Sequence, residues 1–235
     1  LAAGIVGFAD LSAGHRVQEV LEAHSEASSH FRGIRHATAW DASDRVHNAH
    51  TNPPAGLMAE RRFRAGVGCL DRLGLRFDAW LYHHQLPELS DLARAFPGLP
   101  IVLNHMAGPL GIGPYADRRE EVFREWRQGL SELASCPNVH VKLGGRTMSM
   151  SGYGWHKRPR PVGSAELAEV LAPYFETSIE LFGAERCMFE SNFPVDRAGV
   201  SYTVLWNAFK RVARGYSDSE RAALFAGTAE RFYAI

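Results

Sequence analysis

Short runs rich in Val, Ile and Phe return along this chain between longer amphipathic stretches, and that rhythm constrains the fold more than any single motif. Apolar runs of strand length predict strands at about 5–10, 31–36, 76–82, 100–105, 138–143 and 186–190. Helical periodicity predicts helices at about 16–27, 56–74, 88–96, 117–135, 164–182, 201–214 and 217–233. Ser164-Ala165-Glu166 and Ser217-Asp218-Ser219-Glu220 read as helix starts, because a hydroxyl accepts an orphan backbone N–H and early acids suit the helix N-terminus. Leu99-Pro100 and Cys136-Pro137-Asn138 each stop a helix just before the next strand. Strands and helices in alternation imply an α/β fold with a parallel sheet, since parallel neighbours need a crossover between them. No Pro/Ser-rich linker or shift of composition divides the chain, so residues 1–235 read as a single domain. A doubly wound open sheet and a barrel both accommodate the pattern.

Lys+Arg and Asp+Glu both number 26, for a formal net charge of 0, and this balance gives no support to a nucleic-acid or membrane partner. Cys69, Cys136 and Cys187 form no CxxC pair and sit in or beside apolar stretches, which fits a reducing, cytoplasmic setting. No apolar run approaches the roughly 18 residues of a membrane span, and Asp10, Arg16 and Glu19 interrupt the region where a signal peptide would be apolar. Gly108-Pro109-Leu110-Gly111-Ile112-Gly113 follows a strand but lacks the spacing of a dinucleotide or phosphate loop. The chain opens Leu1-Ala2-Ala3-Gly4-Ile5 without a Met, already close to its first strand-like run, which reads as sequence missing upstream.

In parallel α/β folds the chemistry gathers at the C-terminal ends of the strands. There this sequence carries Arg35-His36, Tyr82-His83-His84-Gln85, Asn104-His105, Lys142 and the segment Glu190-Ser191-Asn192-Phe193-Pro194. Neutral imidazole binds metals and titrates near neutrality, so His84 and His105, each ending an apolar strand, stand out as candidates to hold a metal or move protons. His15, His24, His30, His47, His50 and His156 read as loop residues. Arg35 at the mouth suits a two-pronged grip on a substrate carboxylate, or else a salt bridge to Asp41. Glu190 is a candidate base, or else the partner of Lys142 in an interior ion pair, and Asp196 is a second candidate base. The long loop 144–163 holds Arg146, Tyr153, Trp155, His156 and Lys157 and reads as a lid with aromatic and cationic contacts to substrate.

Arg32-Gly33-Ile34-Arg35-His36, Phe77-Asp78 through His84-Gln85-Leu86-Pro87, Val102-Leu103-Asn104-His105, Val139 to Gly144, Met188 to Pro194 and Gly227 to Tyr233 together resemble the amidohydrolase-related family, in order and over essentially the whole chain. That family includes lactonases and non-oxidative decarboxylases. The resemblance implies a (β/α)8 TIM barrel of the amidohydrolase type, incomplete at the N-terminus, with strands 3 to 8 present. It implies hydrolysis of a small carboxylated lactone or similar cyclic ester, using one divalent ion such as zinc or no metal at all. By position His84 matches a metal ligand, His105 a catalytic His, and Asn192 stands where relatives carry an Asp. An amide has no useful basicity, so Glu190 or Asp196 would supply the lost carboxylate. Arg35, His36, Lys142 and Trp155 are the candidate substrate contacts. Decarboxylation of an aromatic or muconate-type acid is the alternative reaction, and an inactive fragment or a ligand-binding barrel the alternative to an enzyme. Six strands alone leave edges unpaired, which predicts aggregation unless the chain associates, for instance as a homo-oligomer.

Overall fold

The computed structural model describes residues 2–235. Its elements run β1 (Ile5–Gly7), α1 (Val17–Ala27), β2 (Phe31–Ala37), α2 (Arg61–Arg72), β3 (Arg76–Trp80), α3 (Leu86–Ala95), β4 (Ile101–Leu103), α4 (Arg119–Ala134), β5 (Val139–Leu143), α5 (Ser164–Phe182), β6 (Cys187–Phe189), α6 (Tyr202–Val212), α7 (Asp218–Ala222) and α8 (Thr228–Tyr233). The described strands form one sheet in the order β1-β2-β3-β4-β5-β6, every neighbouring pair parallel, as an open half-barrel. This is the βα rhythm of the sequence with each strand beside its predecessor.

Strand alternation divides the sheet into two faces. Ile34, Phe77, Ala79, Ile101, Leu103, Val141, Leu143, Cys187 and Phe189 face the helices and join one apolar core with Phe63, Trp126, Phe175 and Phe209. Each fully buried Leu, Ile or Phe in that layer contributes about 1.5–3 kcal/mol. The concave face is different. Val102 and Met188 pack there against Phe232 and Tyr233 of α8, which plug one end of the half-barrel, while Asp78 and Lys142 form an ion pair beside them.

Ser217 caps α7 as predicted, with Glu220 bonding back to its backbone N–H. The single helix expected over 217–233 is broken, because a π turn over Ala223–Gly227 separates α7 from α8. The expected strands 76–82 and 100–105 end early, at Trp80 and Leu103, where tight turns take over. Among the described residues no helix is long and apolar enough to cross a membrane.

Candidate active site

Immediately after β4 the backbone turns through His105, Met106 and Ala107 with φ of 55°, 52° and 59°, and Gly108 follows at 40°. Left-handed backbone costs a non-glycine residue about 1–2 kcal/mol, so this turn persists because its surroundings hold it. Trp126 Nε1 donates to the Met106 carbonyl at 2.8 Å, and the Gly108 N–H donates to the His105 carbonyl at 2.9 Å. The turn leaves the His105 ring directly against the backbone at Gly145, where a Cβ would stand 2.6 Å from His105 Cγ.

Glu190 extends β6 by one residue, its N–H donating to the Leu143 carbonyl at 3.1 Å. Its Oε1 accepts from the His105 backbone N–H at 3.0 Å and is in close contact with His105 Nδ1. On the far side of the ring, Arg35 NH2 lies 2.7 Å from Nε2. A guanidinium only donates, so Nε2 presents its lone pair to Arg35 and the ring proton sits on Nδ1, donated to Glu190. Burial pushes the Glu190 carboxyl up, but the hydrogen bond from His105, with the cations Lys142 and Arg35 nearby, outweighs it and holds the group at about 2. Glu190 is therefore an anion that orients an imidazole. The edge of Trp80 closes over that imidazole, with ring centroids 4.7 Å apart.

Lys142 does not pair with Glu190. Its Nζ meets Asp78 Oδ2 at 2.6 Å, and Tyr233 OH donates to both Asp78 oxygens at 2.9 Å. Nor does Arg35 reach Asp41, whose carboxylate accepts from the Ser43 N–H and the Tyr115 hydroxyl, each at 2.8 Å. Asn192, at φ 51°, donates to Asp196 Oδ1 at 2.9 Å. Burial pushes the Asp196 carboxyl up, partly offset by its hydrogen bonds to Asn192 and Thr147, and its Oδ2 has no protein partner. A cavity of about 530 Å³ is walled by Trp80 together with His47, His50, Tyr82, Thr147 and His156.

Three expected site residues stand elsewhere. His36 faces the helices, accepting the Leu11 N–H at 3.2 Å and packing edge-on to Phe63, because it alternates with Arg35 along β2. Trp155 is buried in the core, stacked on Tyr153 with Arg158 against its ring, rather than standing on a lid. His84 lies in the turn beyond β3, its Nε2 3.0 Å from the Trp40 carbonyl and 3.7 Å from Asp41. Conversely, Asp78, Trp80, Gly145 and Tyr233 also shape the site, although the sequence does not single them out. The available signal was an Asp inside the apolar run Leu75-Arg76-Phe77-Asp78-Ala79-Trp80.

Among the described residues no group of three or more His, Cys, Asp or Glu is arranged to hold a metal ion. His105 offers Nε2 to a guanidinium and Nδ1 to Glu190, so this donor set does not fit a divalent cation.

A family profile described as amidohydrolase matches residues 2–235. The chain is 37% identical over 232 residues to an uncharacterised protein of Sinorhizobium fredii, spanning 99% of this chain and 70% of that one. It is 28% identical over 234 residues to the L-fucono-1,5-lactonase of Burkholderia multivorans, spanning 99% of this chain and 72% of the relative. Among solved structures it is similar to an amidohydrolase from Burkholderia multivorans crystallised with bound zinc, with a TM-score of 0.80 at 27% identity over 99% of this chain and 74% of that one. A half-barrel with its polar groups at the strand ends, matched by this profile from end to end, belongs to the amidohydrolase family.

Proposed function

We propose that the site opens a small lactone by hydrolysis, with His105 as the general base. The observation that carries this reading is the alignment Glu190, His105 Nδ1, His105 Nε2, in which an ionised carboxylate fixes the tautomer that leaves Nε2 a proton acceptor, engaged by Arg35 in the resting site. The same orientation logic serves other hydrolytic imidazoles. Water attacks the lactone carbonyl carbon and gives its proton to Nε2. The imidazolium so formed is stabilised by Glu190, whose own conjugate acid at about 2 is too strong for it to serve as the base itself. The tetrahedral intermediate collapses by breaking the bond to the ring oxygen, and that oxygen takes the proton back from Nε2. The net reaction is lactone plus water to hydroxy acid. Similarity to an L-fucono-1,5-lactonase supports a lactone as the substrate. No step is routed through a metal.

The test is proton release in a pH-stat with purified protein and a panel of sugar-acid and carboxylated lactones, beside the His105→Asn variant. Hydrolysis of at least one lactone is expected, with a loss of about 10²–10⁴ in kcat for the variant. Carbon dioxide release without ring opening, or an unimpaired variant, overturns the reading.

A further inference from the structure

We infer that Arg35 is a carboxylate-operated cap on the base: in the resting site it occupies His105 Nε2, and a carboxylate on the substrate draws it away and frees that nitrogen. The inference rests on the hydrolase reading for its catalytic meaning, and on the resting contact of Arg35 with His105 for the cap.

Arg35 NH2 stands 2.7 Å from Nε2, so the lone pair that would accept the water proton is directed at a permanent cation. A base in that state is blocked. Arg35 is half-buried, yet among the described residues it has no carboxylate within salt-bridge distance. Asp78, its register partner on β3, is already bound by Lys142 and Tyr233. Glu190 is directed at the opposite edge of the same imidazole. The guanidinium therefore has a neutral imidazole as acceptor where two-pronged carboxylate contacts are stronger. The cavity that shares Trp80 with His105 has no Asp or Glu among its lining residues, so no carboxylate in its wall competes for Arg35. The substrate class that follows is a lactone carrying a free carboxylate within reach of the ring carbonyl. A neutral lactone of the same shape would meet a capped base.

The cap is read without turnover by the imidazole ¹⁵N spectrum of His-labelled protein titrated with glutarate, which has no ester to hydrolyse. The expected result is a shift of His105 Nε2 away from its hydrogen-bonded position while Nδ1 stays put. In Arg35→Met, which keeps volume but has no donor, Nε2 begins in the released position and glutarate moves it no further. The spectrum also reports whether the variant is folded. In kinetics, wild type prefers a carboxylated lactone over its methyl ester by about tenfold or more in kcat/KM, and Arg35→Met loses that preference. An Nε2 signal indifferent to both glutarate and Arg35→Met overturns the cap even if lactones are hydrolysed. A responsive Nε2 with no lactone turned over sustains the cap and overturns the hydrolase.

Discussion

Gly145→Ala is the sharpest test of whether the position of His105 matters. Gly145 has φ +69°, and a Cβ there would lie 2.6 Å from Cγ and 2.7 Å from Nδ1 of His105. Relief to ordinary contact near 3.4 Å requires a displacement of about 0.8 Å, and because the close atoms are Cγ, Cβ and Nδ1 of His105, the ring must move with the root of its side chain. A shift of that size at a proton-transferring group costs on the order of 10²-fold in rate. Stability falls as well, by about 1–2 kcal/mol for the left-handed backbone and about 1–3 kcal/mol for overpacking. Gly154→Ala separates the two effects, because Gly154 has φ +64° and no atom within 4 Å of its Cβ position. It should lose only the backbone contribution in urea denaturation and keep its rate of lactone opening. A folded Gly145→Ala protein whose kcat lies within about threefold of Gly154→Ala would refute the placement of His105 as the base.

Glu190→Gln should lower kcat by about 10²–10⁴ and should also change the acid limb of stability. The folded Glu190 carboxyl, held at about 2 against an ordinary 4.5, favours the folded state above pH 4.5, and that contribution fades as pH falls towards 2. The stability gap between wild type and variant, measured by urea denaturation, should therefore close over that window; a constant gap would refute the charge assignment. His83 and His140 behave in the opposite chemical sense. Burial lowers them to about 3 and about 4, with His84 and Arg146 adding to the first and Arg186 and Arg231 to the second. The unfolded chain takes up their protons first, so stability should decline from pH 6.5 downward, and His140→Leu should flatten part of that decline between 6.5 and 4. Tyr233→Phe removes both hydrogen bonds to buried Asp78 and should cost about 1.5–3 kcal/mol in denaturation, leaving the His105 ring signals unmoved.

The β5 segment Val139-His140-Val141-Lys142-Leu143 alternates cleanly, so its two faces are legible from sequence: three residues join the helix-side core and Lys142 meets Asp78 across the concave face. In β2, Phe31-Arg32-Gly33-Ile34-Arg35-His36-Ala37 has polar side chains adjacent at Arg35 and His36, and parity alone does not say which one points inward. Register with Asp78 and contact with Leu11 decide it. The displacement of His84 comes from a strand end two residues earlier than expected. Gln85 causes it by accepting the Tyr82 and Trp40 N–H groups and donating to the Thr38 carbonyl, which turns the chain out of the sheet. Nothing in the letters Asn-His-Met-Ala-Gly announces three left-handed residues in a row; Gly108 is the one hint of them.

The segment from Glu190 to Asn192 is where sequence and structure meet most informatively. The sequence shows Glu190 as an acid standing two residues earlier and leaves open whether it acts on water or pairs with Lys142. The structure offers a third arrangement, in which Glu190 stands behind the imidazole and Lys142 is bound to Asp78. That difference changes the chemistry. A carboxylate facing water would need its conjugate acid near the working pH, which a group held at about 2 cannot supply. Behind His105 the same strong acidity is useful, since an anion that resists protonation stays charged while the imidazole gains and loses a proton. The left-handed turn at His105 is what brings the ring between Glu190 and Arg35, and in the proposed reaction that strained position makes His105, rather than Glu190, the group that exchanges protons with substrate.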